Sequence, residues 1–309
     1  MLARERLWPP ARAPRPAPAE ATANAPPPRT DFFVTEGKPV YSPADTHLLA
    51  LAGRVDVPNR YPSSVLITVD VAQDIQAFCS GVVLAPRLVL TAGHCVCPRR
   101  RVHPKPGELQ AATLIDGAGC AQTAKVTAVE YKPRAAVGND LNANRDDELG
   151  SVRVHPELRV MLDAKDQVIS SSADLGLIVL DKPLGPPFHP LPLASSEVRP
   201  GESLVIVGTG YDELYRAYDQ ERRASLNRVS SPPSEVGGRV RIEQPGGHPY
   251  RGDSGGPCLR ESASGPELVG ISARALGEGK AVTSTYEYRD WLHAEMQRAA
   301  ALPQGPLTR

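Results

Sequence analysis

Gly81-Val82-Val83-Leu84-Ala85-Pro86-Arg87-Leu88-Val89-Leu90-Thr91-Ala92-Gly93-His94-Cys95 holds two short apolar runs on either side of a proline, with a histidine at the exit. Each run is too short for a helix, and Pro86 fits a turn between them, so the stretch reads as two adjacent strands. The same pattern continues outward from it. Ser64–Val69 precedes it; Lys125–Tyr131, Leu175–Leu180, Leu204–Val207, Arg239–Ile242 and Leu268–Ile271 follow. The chain carries 32 prolines and 26 glycines, many of them scattered through its body, as short strands and frequent turns require. Several short strands divided by turn residues indicate an all-β sandwich or barrel. Only the end looks helical: across Arg289–Leu302, Trp291, Leu292, Met296, Ala299 and Ala300 recur near helical spacing, and Pro303 stops the pattern. The polar stretch Arg134–Gly150 reads as a surface loop, and no internal repeat is visible.

A length of 309 residues accommodates one large β domain or two small ones with a substantial core. Lys plus Arg number 35 and Asp plus Glu number 35, so the net charge is zero. Neutrality argues against general affinity for nucleic acid or for an anionic membrane, both of which need a basic surface. The run Arg99-Arg100-Arg101 reads as a solvated face. No apolar run approaches the roughly 20 residues of a membrane-spanning helix. Nor does the beginning of the chain show the roughly 7–15 apolar residues of a secretory leader. Residues 1–30 hold eight prolines and eight alanines, too little apolar surface to offset the entropy of ordering. Residues 1–54 are therefore expected to be a disordered leader or pro-segment, 55–302 the folded part, and 303–309 a tail.

Three stretches carry chemistry. In Gly252-Asp253-Ser254-Gly255-Gly256-Pro257 a hydroxyl sits among glycines. A serine is a weak nucleophile without a neighbouring base, and glycine permits backbone shapes that aim N–H groups at an oxyanion. In Thr91-Ala92-Gly93-His94-Cys95 a histidine, able to act as base and acid near neutrality, follows a strand directly. In Asp174-Leu175-Gly176-Leu177-Ile178-Val179-Leu180 an aspartate opens an apolar run, and a carboxylate at such a place needs a partner. The ring of His94 is a candidate. The five cysteines are Cys79, Cys95, Cys97, Cys120 and Cys258, so at least one is unpaired within the chain. A disulfide between Cys79 and Cys95 would tie the strand before His94 to its neighbour. Cys97 and Cys120 are a second candidate pair, and Cys258 is expected to stay free. Clustered cysteines in a β sequence point to an oxidising compartment, so a secreted or periplasmic location is expected.

The segments Cys79-Ser80-Gly81, Thr91–Cys95, Asp174–Leu180 and Gly252–Pro257 occur in the order His, Asp, Ser. In this the chain resembles the trypsin/chymotrypsin-type serine proteases. Tyr61–Val65, Val154-His155-Pro156 and Tyr288–Trp291 resemble weaker landmarks of that family, and the resemblance spans about residues 55–302. It implies two packed six-stranded antiparallel β-barrels with a C-terminal helix. The first barrel would run from about 55 to 184, the second from about 185 to 288, and the helix over 289–302. It implies a serine endopeptidase: Ser254 attacks, His94 takes and returns the proton, and Asp174 holds the imidazole. The N–H groups of Gly252 and Ser254 would bind the oxyanion. Asp253 would pair with a freed N-terminus, as in a zymogen. The partner is then a protein or peptide substrate, the chain is expected to be a monomer, and no metal or cofactor is required.

The sequence departs from the family in two places. An activating cut would expose an apolar N-terminus, and the nearest candidate, Arg54 before Val55-Asp56-Val57-Pro58, matches poorly. Where trypsin carries an aspartate six residues before the nucleophile, this chain has His248. Cleavage after Lys or Arg is not expected; His248, Arg251 and Arg274 suggest an acidic side chain instead. Ser272, in Gly270-Ile271-Ser272-Ala273-Arg274, is a candidate neighbour of Asp174. A zinc site on His94, Cys95 and Cys97 would lack a fourth ligand and would occupy the base. Gly208-Thr209-Gly210 lacks the third glycine and the helix of a nucleotide loop. His47, His103, His155, His189 and His293 read as surface or packing residues. Against an active endopeptidase stand a catalytically silent protein of the same fold and a disulfide-free chaperone-protease. The presence of Cys79 and Cys95 argues against the latter.

Overall fold

A computed structural model describes residues 54–72, 75–103, 112–132, 143–210, 220–231, 237–243, 253–273 and 280–302. The readings of the leader and the tail fall outside them. The strands in chain order are β1 Arg54–Val55, β2 Ser64–Ala72, β3 Ile75–Ala85, β4 Leu88–Thr91, β5 Arg100–Arg101, β6 Thr113–Asp116, β7 Thr123–Tyr131, β8 Ala143–Val154 and β9 Arg159–Leu162. They continue with β10 Val168–Ser172, β11 Gly176–Leu180, β12 Ser203–Gly208, β13 Arg223–Val229, β14 Arg239–Glu243, β15 Pro257–Ser262, β16 Gly265–Ala273 and β17 Lys280–Ser284. A one-turn helix, α1 (Gly93–Val96), carries His94, and α2 (Arg289–Ala300) ends the fold.

Six strands close into a barrel in the order β11-β4-β3-β2-β7-β8. Six more, β13-β12-β15-β16-β17-β14, form a second ring, shut by the pairing of β13 with β14. All these pairings are antiparallel. The fold is thus the expected pair of six-stranded barrels with a C-terminal helix. Every strand expected from the sequence lies within an observed one or overlaps it. Burial of β-branched and leucine side chains drives the closure. Val82, Val83, Leu88, Val89, Leu90, Leu177 and Ile178 have no accessible surface in the first barrel, as have Leu204, Val240, Cys258 and Val282 in the second.

Three findings differ from the sequence reading. Of the polar stretch Arg134–Gly150 read as a loop, residues 134–142 lie outside the described residues, and from Ala143 onward it is β8, which pairs with β7 along nine residues and with β11 along five. Its charged side chains face solvent from the outside of the barrel, where Asp147 meets Lys125 at 3.2 Å. Between His94 and Asp174 the chain also builds a separate four-stranded sheet, β10-β9-β6-β5. Finally, Arg54–Val55 does not join the first barrel but adds to the edge of the second, with Val55 opposite Arg223.

The barrels meet through polar contacts as well as packing. Arg222 and Asp56 are buried together, Nε to Oδ2 at 2.8 Å. The same guanidinium donates to the Val129 carbonyl at 2.7 Å and to Asn59 Oδ1 at 3.0 Å. The Asp56 carboxylate also accepts the amides of Arg60 and Tyr61, each at 2.8 Å. Every hydrogen-bonding group of the pair thus has a protein acceptor or donor nearby, which a charge pair needs if its burial is to be tolerated.

Candidate active site

His94 and Asp174 come together at the open end of the first barrel. Asp174 lies just before β11, where Gly176 pairs with Thr91 at the end of β4. His94 follows β4 by one turn of chain, so the two side chains meet although 80 residues separate them. Asp174 Oδ1 accepts the His94 amide at 2.8 Å and Oδ2 lies 2.7 Å from His94 Nδ1. A carboxylate can only accept, so Nδ1 carries a proton, and in the neutral ring Nε2 holds the lone pair. The ring is 5% exposed and the carboxylate 0%. Burial opposes ionisation of Asp174, but the charge of His94, the two hydrogen bonds from it and the Arg239 cation outweigh burial. Together they hold the carboxyl below the usual range.

The backbone before Asp174 is held out of its relaxed shape. Ala173 is buried with φ of 46°, a left-handed conformation that costs a non-glycine residue about 1 kcal/mol or more. Its N–H donates to Tyr288 Oη at 2.8 Å, and its carbonyl accepts the Leu175 amide at 2.7 Å. The segment is therefore fixed from the C-terminal end of the chain.

Ser254 sits in a tight turn that leads into β15. Its carbonyl accepts the Ser80 amide at 2.8 Å. Gly255 follows with φ of 84°, and a side chain there would collide with the Ser80 carbonyl and Thr91 Oγ1. Only glycine lets the turn approach the first barrel so closely. Gly255 N–H and the Gly256 carbonyl bond to the Ser272 main chain at 2.8 Å each. Among the described residues the Ser254 amide makes no backbone hydrogen bond. Asp253 is buried and accepts the Gly210 amide at 3.1 Å. Thr209 in turn bonds through its N–H to Ser80 Oγ at 2.9 Å.

Disulfides join Cys79 to Cys95 and Cys97 to Cys120, leaving Cys258 as a buried thiol. Cys95 Sγ lies 4.0 Å from His94 Nε2 and 3.6 Å from the Ser254 carbonyl oxygen. A disulfide sulfur has no hydrogen to donate, so these are packing contacts. They put the imidazole edge and the Ser254 main chain against one atom. The structure thus brings His94, Asp174 and Ser254 to one place and sets Asp253 beside them. Ser272 serves the site through its main chain, and no hydrogen bond joins it to Asp174 among the described residues. Gly252, His248, Arg251 and Arg274 lie outside the described residues.

A model of the family Trypsin matches residues 52–292. The chain belongs to the trypsin family. Among solved structures, "Structure of GrC" shares 15% identity with this trypsin-family chain. It aligns over 80% of this chain and 98% of that one, with a TM-score of 0.56. At that identity the likeness speaks for the fold alone. A search of curated proteins gives no match. Membership makes this a serine protease-type fold, and among its described residues no helix is long and apolar enough to cross a membrane.

Ser80, Thr209, Ala173 and Tyr288 were not singled out as site residues by sequence. Ser80 had a usable position, directly after Cys79 in a stretch already tied to His94. Arg239 carried no such mark, because Arg239-Val240-Arg241-Ile242 reads as two outward cations alternating with two inward apolar residues. Arg239 is nevertheless buried, at 4% exposure.

Proposed function

We propose that this trypsin-family chain is a serine endopeptidase that hydrolyses peptide bonds through an acyl-enzyme. Ser254 Oγ attacks the scissile carbonyl carbon as His94 Nε2 accepts its proton. The tetrahedral intermediate collapses, the C–N bond breaks, and the imidazolium returns the proton to the leaving amine. Water repeats the sequence on the ester and restores Ser254. The observation that carries this reading is the double grip of Asp174 on His94, through amide and ring at 2.8 and 2.7 Å. That grip commits Nδ1 as donor and leaves Nε2 basic on the side where Cys95 Sγ touches both the ring and the Ser254 main chain. The amide of Ser254, which makes no backbone hydrogen bond among the described residues, is assigned with that of Gly252 to the oxyanion; such donors are worth roughly 3–4 kcal/mol in the transition state.

Asp253 is assigned to the activation ion pair. Because Arg54–Val55 is already a strand of the second sheet, a cut between these residues would sever β1. The amine that reaches Asp253 would come from a cut before residue 54. The two disulfides support work outside the cytosol, on protein or peptide substrates with an acidic side chain before the scissile bond.

The test is a fluorophosphonate probe applied to protein purified from residue 50 onward and to the full chain. Labelling of Ser254 that is lost in Ser254→Ala and in His94→Ala supports the reading. A folded, trimmed protein that never labels would make the chain a silent member of the family.

A further inference from the structure

The acid of the first barrel is served by a cation from the second. The segment that presents Asp174 is covered by the beginning of β14. Gly237, with φ of 78°, lies so close to the Ser171 carbonyl that a Cβ would overlap it, and that Cβ would stand 3.2 Å from Ser172 Cα. Gly238 packs on Tyr288, whose hydroxyl holds the Ala173 amide at 2.8 Å. Two residues beyond Gly237, Arg239 enters β14 opposite Thr283, both of them buried. A guanidinium enclosed at this seam must find negative charge close by. Ser272, the sequence-based candidate for supporting Asp174, has its main chain committed to Gly255 and Gly256.

We infer that Arg239 is a positioning residue, a buried cation reaching across the barrel seam to keep Asp174 ionised and aligned on His94. The Coulomb interaction between Arg239 and Asp174 acts on both groups, favouring the charged form of each against burial. Among the described residues the other charged or titratable groups around this seam are few. His94 faces Asp174 from α1. Arg241 points to solvent on β14 and weakly opposes the charge on Arg239. Glu287 lies against Gly238, and Tyr288 is flanked by His155, with ring centroids 5.1 Å apart, and by the charge of Glu157.

This role rests on the endopeptidase reading, and its sign follows from charge. With Arg239 in place, the negative charge available to a protonated His94 is partly offset. Removing the cation leaves Asp174 to favour the imidazolium alone, so the base is protonated at higher pH. Arg239→Met is expected to move the acid limb of the kcat/KM profile up by about one pH unit. Activity should fall about tenfold at pH values well below the limb and by less at neutral pH. Arg239→Lys should restore most of the shift, and Arg241→Met, on the outward side of the same strand, should leave the profile in place.

The same comparison is made by NMR titration of the His94 imidazole in Ser254→Ala backgrounds, which needs no turnover. An unmoved His94 titration in folded Arg239→Met, or a Lys variant as shifted as the Met variant, overturns the inference. If Arg239→Met does not fold, Arg239→Gln and Arg239→Lys carry the test. A wild-type chain that neither labels nor cleaves sinks the endopeptidase reading, and the titration still decides the role of Arg239.

Discussion

The two barrels have the same number of strands and are held shut by different means. The first carries both disulfides, and each has a cysteine on or beside α1, so the helix bearing His94 is clamped from two directions. The second has no disulfide among its described residues, and its one cysteine, Cys258, is a buried thiol. Two of its seams are short: β13 meets β14, and β12 meets β15, through two residue pairs each. The half that carries His94 and Asp174 is thus secured covalently. The half that supplies Ser254 leans on packing and on polar ties to its neighbour, above all Ser80, Thr209 and the Asp56–Arg222 pair. In the proposed mechanism the imidazole must be aimed with little freedom, whereas the Ser254 turn has only to be set down on a surface that is already rigid.

That contrast can be broken in several ways, starting with the largest effect. Asp174→Asn reverses the hydrogen bond to His94 Nδ1 and selects the wrong tautomer. About a 10⁴-fold loss of kcat/KM is expected in a protein that still folds, and steady-state kinetics beside calorimetry check it. Arg222→Met leaves Asp56 buried and unpaired at the seam. Roughly 3–5 kcal/mol of stability should disappear in chemical denaturation, with the second barrel losing amide protection first. Replacing Cys79 and Cys95 by alanine opens a loop of 16 residues, worth roughly 3 kcal/mol, and frees the His94 turn as well. Activity should therefore decline before unfolding does as temperature rises, whereas the Cys97, Cys120 double replacement should cost stability with less effect on turnover.

The next effect is one of pH. The folded-state carboxyl of Asp174 lies below its unfolded value, so the unfolded chain takes up the proton first as pH falls. The stability it contributes is complete above the ordinary carboxylate range and drains away as pH drops through that range and beyond. Urea titrations of wild type and Asp174→Asn should converge toward acid pH. The smallest effect belongs to the second barrel. Burial pushes the Cys258 thiol well above its normal range, so iodoacetamide should leave it untouched in native protein at pH 8 and modify it in urea. Cys258→Ala should cost about 1 kcal/mol.

How far the sequence carried the reading depended on how local each feature is. His94, Asp174 and Ser254 could be singled out because each sits in a short run whose composition suits one chemical task. The barrel strands could be found where their burial is continuous, as along Leu175–Leu180. Reading failed where a residue's surroundings are made by distant chain. β8 looks like a loop because a strand on the outside of a barrel has little apolar alternation to show. Arg239 looks outward because nothing in its own strand reveals that the other barrel covers it. Arg54–Val55 looks like a cleavable bond, since its partner strand lies about 170 residues away.

The spacing of the parts has one more effect. His94 and Asp174 are 80 positions apart, and the main chain of Ser254 touches Cys95 across 159. Closing such long loops is slow and comes late, after local hairpins have formed. A nascent or truncated polypeptide therefore carries all three residues of the proposed triad without the geometry that would let them act together.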